Sequence, residues 1–346
     1  MAALSRLEPV QRELRDLPVG AARVARIQRV YADARALRQG DASDVAEYGV
    51  LGTWAGGELL REGDVDAAIG VLREVATSRA PTSAVAQSHR LIGQAHLRAG
   101  RFDDAALAFE AQVALCADHP GQFAAAGCVS GINQLAYVRR LQGRLADALN
   151  LYDRIADSIG VTPPSPDVDA ALMQGAVILA EMGEHDAALV RIRRLVARPI
   201  AVDLMRRAVA FEVRTLTRLG QFEEGAGVAR AAWDQARADG RADALPIGEA
   251  LASVLEKAGR QGESLDARAE IVAYVDALAG TWGAEGTSAR RDLRTHLVRL
   301  VEADRFGRPR LAVDAVERLL AEERDPGVRA DLVLAQQRSR QALGQR

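Results

Sequence analysis

Apolar positions recur along the chain in paired stripes at helical spacing, each pair divided by a glycine. Between Ala86 and Arg98, the residues Leu91, Ile92, Ala95 and Leu97 with Gly93 form one stripe. This is the recurrence of a helix with one buried face. Gly100 then supplies the left-handed backbone that ends a helix and that a side chain would penalise. Asp103 and Asp104 follow in the first turn of a second helix, where the dipole favours negative charge. Ala105, Ala106, Phe109 and Val113 are its buried stripe, and His119-Pro120-Gly121 stops it.

The same grammar recurs. Leu135, Ala136 and Val138 precede Gly143, and Ala148, Leu149, Tyr152 and Ile155 follow it. Leu172, Ala176 and Leu179 precede Gly183, and Ala188, Ile192 and Leu195 follow it. Turn glycines at 63, 100, 143, 183, 220, 259 and 307 are separated by 37, 43, 40, 37, 39 and 48 residues. Further stops fall at Pro81, Pro163-Pro164 and Pro199. No alternating run is long enough to argue for a sheet. Hairpins joined by such short turns cannot bury both faces alone, but stacking them can.

This pattern resembles the tetratricopeptide repeat (TPR) family, over roughly residues 43–325. Gly93, Gly100, Phe102, Ala105 and Phe109 occupy the family's signature places in order. So do Ala136, Gly143, Leu145, Ala148 and Tyr152, and Gly56, Gly63, Val65, Ala68 and Leu72. The match weakens where Gly225 and Ser264 stand for the expected Ala, and where Pro309 occupies the last turn. Every spacing exceeds the 34-residue consensus, as in the longer-repeat TPR-like domains of bacterial regulators and peptide sensors. The resemblance implies an all-α fold, a right-handed α-solenoid of about seven hairpins with capping helices.

Residues 1–40 read as N-terminal capping helices, with amphipathic segments at Leu4–Leu17 and Ala21–Leu37 split by Pro18 and Gly20. Residues 41–325 are the array, and 326–346 a polar C-terminal capping helix. Both ends are expected to be true ends of one solenoid. The Gly-rich stretch from Ala279 to Thr287 is expected to loop out between the sixth and seventh units.

Composition narrows the function. The net charge of -2 gives no bulk attraction to nucleic acid or an anionic membrane. No stretch approaches 18 apolar residues, and the N-terminus has no signal-like apolar core, so a soluble cytoplasmic protein is the default. Lys257 is the only lysine; the other cations are guanidinium groups suited to carboxylates. Cys116 and Cys128 are expected as small buried thiols. Cys116, His119 and Cys128 lack the paired spacing of a structural zinc site. No cofactor or metal is expected. The histidines stand without a nucleophile signature, and the Gly-rich stretch lacks the lysine of a phosphate loop.

In the TPR family the first helix of each hairpin lines a concave groove. Carried onto this sequence, the resemblance implies Gln87, Arg90, Gln94 and Arg98 in the second unit and Asn133, Gln134, Tyr137 and Arg140 in the third. It implies Gln174 in the fourth, Arg207, Phe211, Arg214 and Arg218 in the fifth, and an acidic sixth with Glu249 and Glu256 beside Lys257. Amide side chains can hold a peptide backbone, Arg can grip a carboxylate with two bonds, and Tyr137 and Phe211 add apolar area. The segment around Asn133 resembles the Asn-bearing helix of several peptide-binding members. The expectation is a non-catalytic adaptor or scaffold that binds a protein or peptide, including one with acidic residues or a free carboxylate. A homodimer is compatible with the Ala-rich surfaces. One alternative is a ligand-responsive sensor acting on a separate output chain. Another is an enzyme or accessory subunit of a biosynthetic pathway, which a perturbed acid–base cluster in the groove would favour.

Overall fold

The computed structural model describes residues 2–119, 125–157 and 166–344, with the side chains of 2–6, 125–128, 167 and 291 excepted. The stops expected at Pro120 and at Pro163-Pro164 lie outside these residues. The described elements are α-helices joined by short turns, with no strand among them.

The chain divides into two compact units, residues 1–178 and 179–346. The N-terminal unit holds α1 (Ala2–Asp16), α2 (Ala21–Arg35), α3 (Ala42–Arg61), α4 (Val65–Ala76), α5 (Thr82–Arg98), α6 (Phe102–Asp118), α7 (Ala125–Leu141) and α8 (Leu145–Asp157). The division falls inside α9 (Pro166–Glu181). The C-terminal unit holds α10 (His185–Val196), α11 (Val202–Arg218), α12 (Phe222–Ala238), α13 (Leu245–Lys257), α14 (Gln261–Leu278), α15 (Ala284–Leu300), α16 (Pro309–Glu322) and α17 (Pro326–Gly344). From α2 to α8, and again from α10 to α17, each helix packs on the next. First helices also meet across the stack, α3 with α5 and α11 with α13. Each unit is therefore a stack of helical hairpins, an α-solenoid.

One backbone device closes every repeat turn. Gly63 has φ 86°, its N–H donates to the Leu60 carbonyl, and the following Asp64 N–H donates to Leu59. The same pair of bonds recurs at Gly100, Gly143, Gly183, Gly220, Gly259 and Gly307, all with φ between 70° and 86°. This is the Schellman end of a helix, which satisfies its last carbonyls. Nothing lies within 4 Å of a Cβ placed on Gly143. Gly143→Ala is therefore expected to cost only backbone strain, about 1–2 kcal/mol. Gly93 has the opposite constraint: a Cβ there would lie 2.6 Å from two Phe109 ring atoms. Gly93→Ala is expected to lose about 1–3 kcal/mol through overpacking. Thermal unfolding of both variants checks this, and added Phe109→Leu should rescue Gly93→Ala but not Gly143→Ala.

Two expectations need correction. The stretch from Ala279 does not loop out: Ala279–Thr281 forms a 3-10 turn and Ala284 already begins α15. The connection is pinned because Trp282 packs 5.4 Å from the Tyr274 ring and its Nε1–H donates to the Gly240 carbonyl at 2.8 Å. Cys116 is disulfide-bonded rather than a free thiol, and Cys128 lies outside the described side chains. Among the described residues, no helix is long and apolar enough to cross a membrane.

Candidate functional site

The faces of the first helices carry most of the polar side chains expected to bind. On α5, Arg90 is half-buried, and its Nε–H donates to Gln87 Oε1 at 3.0 Å. Among the described residues no carboxylate pairs with it, and burial holds its pKa below the usual arginine value. Gln94 is half-buried one turn on. Arg98 is committed elsewhere: its Nη1 donates to the Leu60 carbonyl at 2.9 Å and helps cap α3.

Facing Gln87 and Arg90 across a cavity of about 290 Å³ are Val50, Thr53, Trp54 and Gly57 of α3. Trp54 Nε1–H is buried without a hydrogen-bond partner. An orphaned donor of this kind costs free energy until an acceptor meets it. Trp54 was not among the residues expected from the sequence. The signal was present, because Trp54 precedes Gly63 by nine residues, as Gln134 precedes Gly143 and Gln174 precedes Gly183.

On α7, Asn133 and Gln134 are half-buried and Tyr137 is 42% exposed. Arg140 reaches the neighbouring unit, with Nη1 3.4 Å from Gln174 Oε1. Both Tyr137 and Arg140 act on Tyr152 beneath them; burial pushes that phenol up to about 12 while Arg140 pulls it down. Four expected residues therefore sit together here: Asn133, Tyr137, Arg140 and Gln174.

The C-terminal unit places its residues differently. Arg207 pairs with Asp203 on its own helix at 3.4 Å. Phe211 is only 9% exposed and lies under Arg214, whose guanidinium carbon is 5.8 Å from the ring centroid. The apolar contact expected from Phe211 is thus used inside the unit. Arg218 is exposed at the end of α11. Glu256 holds Arg268 at 2.6 Å and lies 3.8 Å from Arg299.

An acid–base cluster also occurs in this unit. Burial and the charge of Asp292 push Glu249 up, against Arg214 and Arg268. Burial and then the charge of Arg268 push His296 down, and Asp292 opposes them. Glu249, Asp292, Ser253, Thr295 and His296 line one cavity. Neither hydroxyl there is hydrogen-bonded to a base among the described residues. An activated nucleophile requires that contact.

No protein-family model and no curated relative matches the chain. Solved structures similar to it include repeat proteins. BtubC from P. vanneervenii is 18% identical, covers 59% of this chain and 86% of its own, and has TM-score 0.46. A tetratricopeptide repeat protein from Parabacteroides merdae ATCC 43184 is 12% identical, covers 82% and 96%, and has TM-score 0.45. A Podosopora anserina kinesin light chain with nearly identical TPR-like repeats is 17% identical, covers 51% and 89%, and has TM-score 0.43. These superpositions are partial, and the hairpins themselves carry the assignment. Seven glycine turns closed by the same pair of bonds, and the small-residue contacts of Gly56 on Leu72 and Gly93 on Phe109, give this chain a fold of stacked helical hairpins similar to tetratricopeptide repeats.

Proposed function

We propose that the chain is a non-catalytic adaptor that holds an acidic peptide segment on the first-helix faces of its N-terminal unit. One observation carries this reading. Arg90 is half-buried with only a neutral partner, and it shares a cavity with the orphaned Nε1–H of Trp54. The indole N–H has no acceptor, and the guanidinium has only the neutral Gln87 amide oxygen and no carboxylate. A carboxylate or peptide carbonyl supplies what both lack. Gln94, Asn133 and Gln134 would continue the grip along the backbone, and Tyr137 would add contact area. A sensor acting on a separate output chain would use the same face. The enzyme alternative has less support, because the Glu249 cluster activates no nucleophile.

Short acidic peptides, each with a free or an amidated C-terminus, test the reading by fluorescence anisotropy. Arg90→Glu is expected to weaken binding at least about tenfold. Trp54→Phe keeps the ring and removes the donor, so its loss should be smaller. Unchanged affinity in Arg90→Glu would sink the proposal. A cytoplasmic location remains part of it on one chemical condition. Disulfides are rare in that compartment, so Cys116 would have to be reduced there rather than bonded as in this structure.

A further inference from the structure

The C-terminal unit carries a site of the opposite sign. Glu249 on α13 and Asp292 on α15 together line two adjoining cavities of about 340 and 400 Å³. Among the described residues, neither carboxylate lies within ion-pair distance of an arginine or lysine. Arg268, which lines the same cavity, is turned to Glu256. Arg214 lies over Phe211.

His296 is the second observation. It is 7% exposed and lines the cavity, and its Nδ1 has no hydrogen-bond partner. Its Nε2 stops 3.9 Å from Glu249 Oε1, beyond hydrogen-bond reach. A buried imidazole with Nδ1 unsatisfied is costly by itself, and Nε2 is left facing the cavity carboxylate without a hydrogen bond to it. The two carboxylates beside it are solvent-exposed acceptors that repel one another.

We propose that this cavity binds an alkylammonium group, whose three N–H bonds go to Glu249, Asp292 and His296 Nε2. An ammonium is a compact charge with three donors and no acceptor, so it matches three acceptors around a small space. A guanidinium is planar and spreads five donors in a fixed fork. Leu245, Pro246 and Ala289 line the adjoining wall, where a methylene stem would lie. The direction of the shifts agrees: burial and the charge of Asp292 disfavour a lone negative charge on Glu249, and burial with the charge of Arg268 favours neutral His296, with a lone pair to offer. This site is separate from the Arg90 face, and either can fail without the other.

The test titrates the full chain with n-butylammonium chloride while the His296 ring proton is followed by NMR, assigned with His296→Asn. Tetramethylammonium chloride carries the same charge without an N–H. Butylammonium should shift the resonance saturably and tetramethylammonium should not. Glu249→Gln with Asp292→Asn should weaken binding at least about tenfold. Equal responses to the two cations, or unchanged binding in the double variant, would overturn the proposal. If that variant does not fold, the comparison of the two cations on the wild type decides. Competing peptides then name the source. Displacement by an acetylated peptide with one internal lysine places the group on a side chain. Displacement by a lysine-free peptide with a free N-terminus places it on a chain end. Displacement by neither leaves a small amine.

Discussion

Replacing Asp239 and Asp243 together with alanine is expected to destabilise the C-terminal unit by about 3–5 kcal/mol. Arg206 on α11 is the reason. Its side chain is 6% exposed, and its guanidinium bonds both carboxylates, which close the connection between α12 and α13. Around it lie Met205, Val209 and Ile247. Without the two acids a full charge would remain in apolar surroundings with no partner. Arg206→Met is the control, since it removes the charge and keeps much of the volume. It should lose much less, because replacing a buried ion with an apolar side chain also removes its desolvation cost. Urea unfolding followed by tryptophan emission measures both. Trp233 and Trp282 both lie in this unit. Equal losses in the two variants would refute the buried-charge account. A loss under about 1 kcal/mol in the double aspartate variant would reduce the contact to a surface ion pair.

Trp233→Ala should cost about 3–5 kcal/mol in the same unit. Trp233 is fully buried. Its indole meets the Tyr274 ring edge-on at 5.4 Å, and its Nε1–H donates to Glu270 Oε2 at 2.8 Å. Gly248 makes room for it: a Cβ there would come within 2.9 Å of the indole. The two positions should therefore be coupled. Gly248→Ala alone overpacks the site, but in the Trp233→Ala background the indole contacts are gone and its cost should fall to that of the remaining 3.0 Å approach to Ile271 Cγ1. A double-mutant cycle from thermal or urea unfolding reads this directly. Strict additivity would show that Gly248 is not shaped by the tryptophan. Trp233→Phe should lose less, since Glu270 keeps Arg230 at 2.9 Å.

The repeat framework was legible in the sequence because its demands are local. A left-handed turn asks for glycine wherever it occurs, and a close helix crossing asks for a small residue opposite a large one. Gly63, Gly100 and Gly93 answer those demands by identity alone. The site was less legible because a groove residue is defined by what its tip reaches. Arg98 occupies a groove position, yet it caps α3. Phe211 occupies another, yet it lies beneath Arg214. Trp54 and Arg90 stand out only when one is known to lack an acceptor and the other a carboxylate. Asp292 and His296 belong to α15, inside the 48-residue interval, where the expected loop obscured the count from one glycine to the next.

The glycine turns also make splice points. Excising residues 64–100 would join Gly63 to Arg101, whose own N–H now closes on His96 exactly as that of Asp64 closes on Leu59. The new junction would inherit the Leu59 acceptor without adjustment. Phe109, nine residues past its glycine as Leu72 is past Gly63, would come to rest on Gly56 in place of Gly93. A whole hairpin can thus leave or enter the chain at a glycine with the neighbouring packing already matched. Recombination at these glycines would change the length of such a chain in steps of one repeat, and with it the polar face on display.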